Sequence, residues 1–218
     1  LTLNEGLLTI GADAFNDCEK LQGHLTIPNS VTSIGEASFQ DCEEITGLTI
    51  GSGLTSIPLR AFRGMDALTS VTIPSSVTSI GISAFQNCSA LTSVTIPSSV
   101  TSIGDGAFYN CSALTSIVVA PENSNFASEE GVLFNATKIT LIHYPGGKAG
   151  PYIIPSSVTS IGEEAFEDCS ALTSVTIPEG VTSIGDSAFE DCSALTSVTI
   201  PEGVTSIDSR AFSNCSAL

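Results

Sequence analysis

The stretch LTSVTIPSSVTSIG runs from Leu68 to Gly81 and returns letter for letter from Leu91 to Gly104. Self-similarity at a fixed period marks a repeat architecture and takes precedence over local propensity in deciding the fold. Worked outward, one Phe marks each unit: Phe15, Phe39, Phe62, Phe85, Phe108, Phe166, Phe189 and Phe212. The steps between them are 24, 23, 23, 23, 58, 23 and 23 residues. The 24 reflects one extra residue near Leu21 to Leu25, where LQGHLTIP stands in place of LTSVTIP. The 58 is one repeat plus 35 added residues. About eight 23-residue units are therefore expected, with one interruption.

Inside the unit Leu91 to Ala113, Val94 and Ile96 alternate with Ser93 and Thr95, the period of a half-buried strand. Pro97 supplies no ladder donor and ends that strand, with Ser98 and Ser99 as the turn. Val100 and Ile103 suit a second short extended segment closed by Gly104, and Ala107, Phe108 and Cys111 are spaced for one side of a single helical turn. Strand, turn, short strand and helical turn make one coil. A lone coil buries too little apolar surface to offset the entropy of ordering its backbone, so coils must stack and pair strands in parallel with their neighbours.

The pattern L-x-x-V-x-I-P, V-x-x-I-G, A-F-x-x-C resembles the BspA-type leucine-rich repeat, also called the Treponema pallidum type, along essentially the whole chain. GVLFN at Gly131 to Asn135 and LIHYP at Leu141 to Pro145 look like a segment common in that family. Met65 in place of the Cys, Pro58 and Asp208 in place of the Gly, and Asn4 and Gly51 in place of the Pro are its few departures. The resemblance implies a leucine-rich-repeat solenoid of β-rich α/β type. It would be a right-handed superhelix with a parallel sheet on the concave face and short helical turns on the convex one. The expected organisation is one domain, 1–218, with a hairpin-containing insertion at about 119–151. Leu1 falls in mid-strand and Leu218 where a new strand begins, so both ends are expected to continue into a longer array.

Of the 218 residues, 42% are apolar, enough for a core. Against 6 Lys and Arg stand 23 Asp and Glu, a net charge of -17. Nucleic acid and anionic membrane surfaces are excluded as partners, because both need clustered cations. No apolar run approaches the roughly 20 residues of a spanning helix, so no direct membrane insertion is expected. Ten of the acids lie between Glu163 and Asp208, and no Lys or Arg occurs from Ala149 to Ser209. That stretch is a solvated face or a dock for a basic partner.

Seven cysteines form one register column, and equivalent side chains in adjacent coils point the same way, which disfavours disulfides. Packed, reduced thiols are expected. Catalytic strings are absent: His24 and His143 lie far apart in sequence, and no nucleophile elbow or phosphate loop occurs. The chain is read as non-enzymatic, without metal or cofactor. The Asp or Asn before each Cys is read as turn chemistry.

Candidate partner-binding residues fall in three groups. Ser70, Thr72, Ser93, Thr95, Ser116 and Val118 are the outward positions of the strand. Arg60, Arg63, Met65 and Tyr109 depart from the repeat consensus, and anchors of binding are commonly aromatic or Arg. Phe126, Phe134, His143 and Tyr144 belong to the insertion, where GVLF and ITLIHY around NATK read as a hairpin. The resemblance implies an extracellular or surface-attached bacterial recognition module for another protein, a host or matrix protein among the candidates. The rival is a passive spacer presenting another domain of the parent.

Overall fold

A computed structural model describes all 218 residues as a β-solenoid with two strands per coil. The longer strand of the reference coil, Ser93–Ile96, alternates exposed and buried residues as its sequence requires. It pairs in parallel with Ser116–Val119 so that Val94 lies beside Ile117, 23 residues on. After Pro97 the chain turns, closed by the Val100 N–H donating to the Pro97 carbonyl at 3.2 Å. The short strand Ser102–Ile103 then pairs with Ser79–Ile80 of the coil before.

The expected helical turn is not formed. From Gly81 onward, every second N–H leaves its own coil: Ser83, Phe85 and Asn87 donate to the carbonyls of Asp105, Ala107 and Tyr109 at 2.9–3.0 Å. The intervening N–H groups close tight turns, as Gln86 to Ser83 at 3.2 Å. Ser83 and Asn87 sit at φ 52° and 61°, and the same two positions are left-handed in every other marked coil, from Asp13 and Asp17 to Arg210 and Asn214. A left-handed residue every fourth position breaks an α-helix, and Asp and Asn tolerate that conformation. The spacing of Ala, Phe and Cys thus reports successive turns that all point inward. Gly104 is needed for close stacking, since a Cβ there would lie 2.5 Å from the Ile82 nitrogen.

Stacked rings mark the core. Phe15, Phe39, Phe62, Phe85 and Phe108 succeed one another at centroid separations of 5.0 to 6.0 Å. Phe166, Phe189 and Phe212 continue at 4.6 and 5.1 Å. The seven thiols are free, and several donate to the Phe carbonyl of the preceding coil, as Cys192 to Phe166 at 3.0 Å. Burial pushes the Cys42 thiol up to about 11 and the Cys192 thiol up to about 12, so these groups behave as apolar filling.

The interruption holds three strands. Phe126–Glu129 runs antiparallel to Val132–Asn135 through a tight turn at Glu130 and Gly131, both at positive φ. Val132–Asn135 then pairs antiparallel with Thr140–His143, the hairpin expected around NATK. The first strand was not anticipated. Thr140–His143 joins the short-strand column by pairing in parallel with Ser160–Ile161. Tyr144 enters the Phe column, its ring 4.9 Å from Phe166 and its N–H bonded to Ala165 as Phe62 is to Ala84. The interruption therefore contributes a coil of its own, making about nine in place of eight. The Val132–Asn135 strand divides the core, with Leu133 in the N-terminal cluster and Val132 and Phe134 in the C-terminal one.

Candidate protein-interaction surface

Serine and threonine in this chain do two different jobs. One set braces the coils: Thr69 donates to the Thr46 carbonyl, Thr101 to Thr78, Thr115 to Thr92 and Thr205 to Thr182, at 2.9 to 3.3 Å. The other set, Ser70, Thr72, Ser93 and Thr95, is exposed on the longer strands and makes no side-chain hydrogen bond within the chain. Ser116 beside them is half-buried, and Val118 is 47% exposed where the preceding coil carries Thr95. Past the interruption, Ile153 is 73% exposed where the next coil carries Thr176. Val118 and Ile153 thus each stand at a Thr register of this face, one on each side of the insertion.

The remaining candidates separate. Phe134 and Tyr144 are fully buried in the core, and Met65 fills the Cys slot at 0% exposure, so these three are packing residues and not partner contacts. Their apolar bulk completes the coils where the repeat is irregular. Phe126 is half-buried against the N-terminal cluster. Arg60 is exposed at φ 54°, and Arg63 is half-buried with its Nε unpaired. Both stand in the third unit, away from the insertion.

Tyr109 and His143, by contrast, are brought beside the acids of the next regular coil. In that coil Thr159 donates to Ile139, as Thr101 does to Thr78, which aligns Ile139 with Thr78. Seven residue steps separate Thr78 from Phe85 but only five separate Ile139 from Tyr144. The insertion coil therefore lacks two turn residues. Regular coils donate from three N–H groups here, yet Gly106, Phe108 and Asn110 donate to no backbone carbonyl. The gap is a cleft of about 50 Å³ between Asp105–Gly106 on one side and Glu163–Glu164 on the other. Phe108, Leu133 and Ile142 form its apolar wall.

His143 lines that cleft with its ring centroid 6.3 Å from Phe108, and its Nε2 is buried without a partner. Burial lowers its pKa to about 4, so the imidazole is neutral at physiological pH. The Glu164 carboxyl is pushed up by burial and then by Glu163 and Asp105, with distant Arg210 opposing. Glu167 is pushed up to about 7 by burial and by Glu164, Glu190 and Asp168. The Tyr109 hydroxyl is raised by burial and by neighbouring Asp168 and Glu167. Arg210 is committed elsewhere, 3.4 Å from Asp186 and 3.7 Å from Glu190.

Asn123 was missed from the sequence. Its amide donates to the Pro97 and Val100 carbonyls at 2.8 and 3.0 Å, while its Oδ1 accepts the Asn125 and Phe126 N–H groups, both at 2.9 Å. The string NSNF signals a turn, but nothing local says that the turn is bolted to a coil 23 residues back.

Two strands per coil, a 23-residue register and a continuous Phe column define a leucine-rich-repeat solenoid. The chain matches the BspA type leucine-rich repeat region in six copies over residues 8–140 and 150–218, and it belongs to that family. The pneumococcal vaccine antigen PcpA is similar in structure, with a TM-score of 0.73 and 25% identity over 91% of this chain. This chain spans 57% of that antigen. A leucine-rich cell surface protein of Faecalibacterium prausnitzii aligns over 100% of this chain and 78% of its own, at 26% identity and a TM-score of 0.63. The leucine-rich repeat protein of T. pallidum aligns over 88% of this chain and 74% of its own, at 25% identity and a TM-score of 0.56. No curated protein matches the chain in sequence.

Proposed function

We propose that the chain is a non-enzymatic recognition module of a bacterial surface or secreted protein, binding another protein such as a host or matrix component. One observation carries this reading: outward Ser and Thr side chains lie free on a face beside a row of Thr residues several of which brace the coils, and exposed Val118 and Ile153 interrupt that face beside the insertion. A rigid scaffold presenting unpaired hydroxyls and apolar anchors loses little conformational entropy on docking. Similarity to a vaccine antigen and a cell surface protein supports an extracellular or surface location.

Deleting the insertion is no test, because Val132 and Phe134 belong to the core. A V118K/I153K double variant alters the face and leaves the core untouched. Binding of the purified chain to a panel of matrix proteins and intact host cells is expected, reduced at least about tenfold in the variant, a loss of about 1.4 kcal/mol. Absence of binding by either protein would favour a passive spacer.

A further inference from the structure

The insertion coil is shorter than its neighbours, and the resulting notch has a definite chemistry. Its walls are Phe108, Ile142 and the ring of His143; its rim is Asp105, Glu163 and Glu164. At about 50 Å³ it is far smaller than the roughly 300–1,000 Å³ of small-molecule sites, and it suits the tip of one side chain. We propose that this notch receives an arginine side chain from a protein partner, the guanidinium lying against the His143 ring and bonding to the rim carboxylates. The inference rests on the protein-binding reading and names the partner's chemistry.

Four observations support it. Glu163 and Glu164 lie in a stretch without Lys or Arg from Ala149 to Ser209, Asp105 faces them across the cleft, and Arg210 is held by Asp186 and Glu190. The side chains of Asp105, Glu163 and Glu164 form no ion pair, and no cluster of acids, His or Cys converges closely enough to hold a metal ion. A planar, extended cation spans such a spread rim where a point charge does not. His143 adds an unpartnered, buried Nε2 at the wall; being neutral, it does not repel a cation and can accept an N–H. Finally, Glu164 lies over Gly106, where a Cβ would sit 3.0 Å from its Oε2, so the carboxylate is already folded across the opening. Lysine satisfies the charge but neither the stacking nor the fork geometry.

N-acetyl-arginine amide titrated into the isotope-labelled full chain tests this, with the neutral isostere N-acetyl-citrulline amide and the Nα-acetyl-lysine amide analogue alongside. The expected result is saturable NMR shifts confined to His143, Ile103 and Ile142, at least tenfold weaker with citrulline and in E163Q/E164Q. Those glutamates border solvent, and an unchanged circular dichroism spectrum verifies that the variant is folded. Equal response to citrulline, shifts scattered over the whole acidic surface, or tighter binding of the lysine analogue would overturn the assignment. Loss of partner capture in V118K/I153K tests the broader reading separately: the arginine probe failing while capture persists removes only this inference.

Discussion

Asn123 is the residue with the most hydrogen bonds concentrated on one side chain: two donated to one coil and two accepted from the insertion. Removing it strands the Val100 carbonyl and two N–H groups at the insertion's root and takes one of two bonds from the Pro97 carbonyl. Asn123→Ala is expected to cost about 2–4 kcal/mol, read as a lower urea midpoint at unchanged m-value. Glu167 acts in the opposite sense. Its folded-state pKa of about 7 exceeds the ordinary 4.5, so the folded protein holds a proton that the unfolded chain has released. That contribution is fully present below 4.5 and is lost as pH rises through about 7. Glu167→Gln is therefore expected to melt higher than the parent at pH 8 and equally at pH 4. A melting series in which the two curves stay parallel would contradict the sign. Neither residue is exceptional in sequence: Asn123 is one more turn Asn, and Glu167 is one more acid in a column. Burial and neighbours from other coils create both effects.

Among the elements, the Val132–Asn135 strand has the widest consequences, because it pairs on both edges and its side chains enter both halves of the core. Phe134→Ala is expected to cost about 3–5 kcal/mol by denaturant titration, comparable with loss of a ring from the regular Phe column. A cost below about 1 kcal/mol would mean that the insertion lies outside the cooperative core. The hairpin itself was readable from apolar alternation around NATK. Its role as a coil was not, since Tyr144 takes the Phe position in a sequence that lacks the A-F-x-x-C signature. The turn segments carry a similar lesson. Ala84, Phe85 and Cys88 keep helical spacing, yet hydrogen bonding to the next coil replaces the intrahelical ladder. Inter-coil partners decide between the two conformations, and spacing alone does not reveal them.

For the molecule as a whole, a net charge of -17 on a stacked array places like charges in register, as Glu167 with Glu190 and Asp168 with Asp191. Salt shortens the screening length from roughly 30 Å at 0.01 M to about 3 Å at 1 M. Adding sodium chloride over that range is expected to raise the melting temperature. Amide-exchange protection should increase most around Leu172–Thr176 and least around Ser93–Ile96, because ten acids lie between Glu163 and Asp208 but only four between Ala67 and Gly162, and solenoid stability is local. A uniform gain along the chain would indicate a nonspecific salt effect.

The sequence by itself determined the period, the solenoid, the inward Phe and Cys columns and the outward Ser and Thr rows. Each follows from a local pattern repeated until only stacking can bury it. Tertiary structure alone decided which hydroxyls brace and which stay free, that Phe134 and Tyr144 are core, and that a coil two residues short opens a notch beside Glu163 and Glu164. These depend on what the neighbouring coil places opposite each residue, a relation that one unit's residues cannot encode.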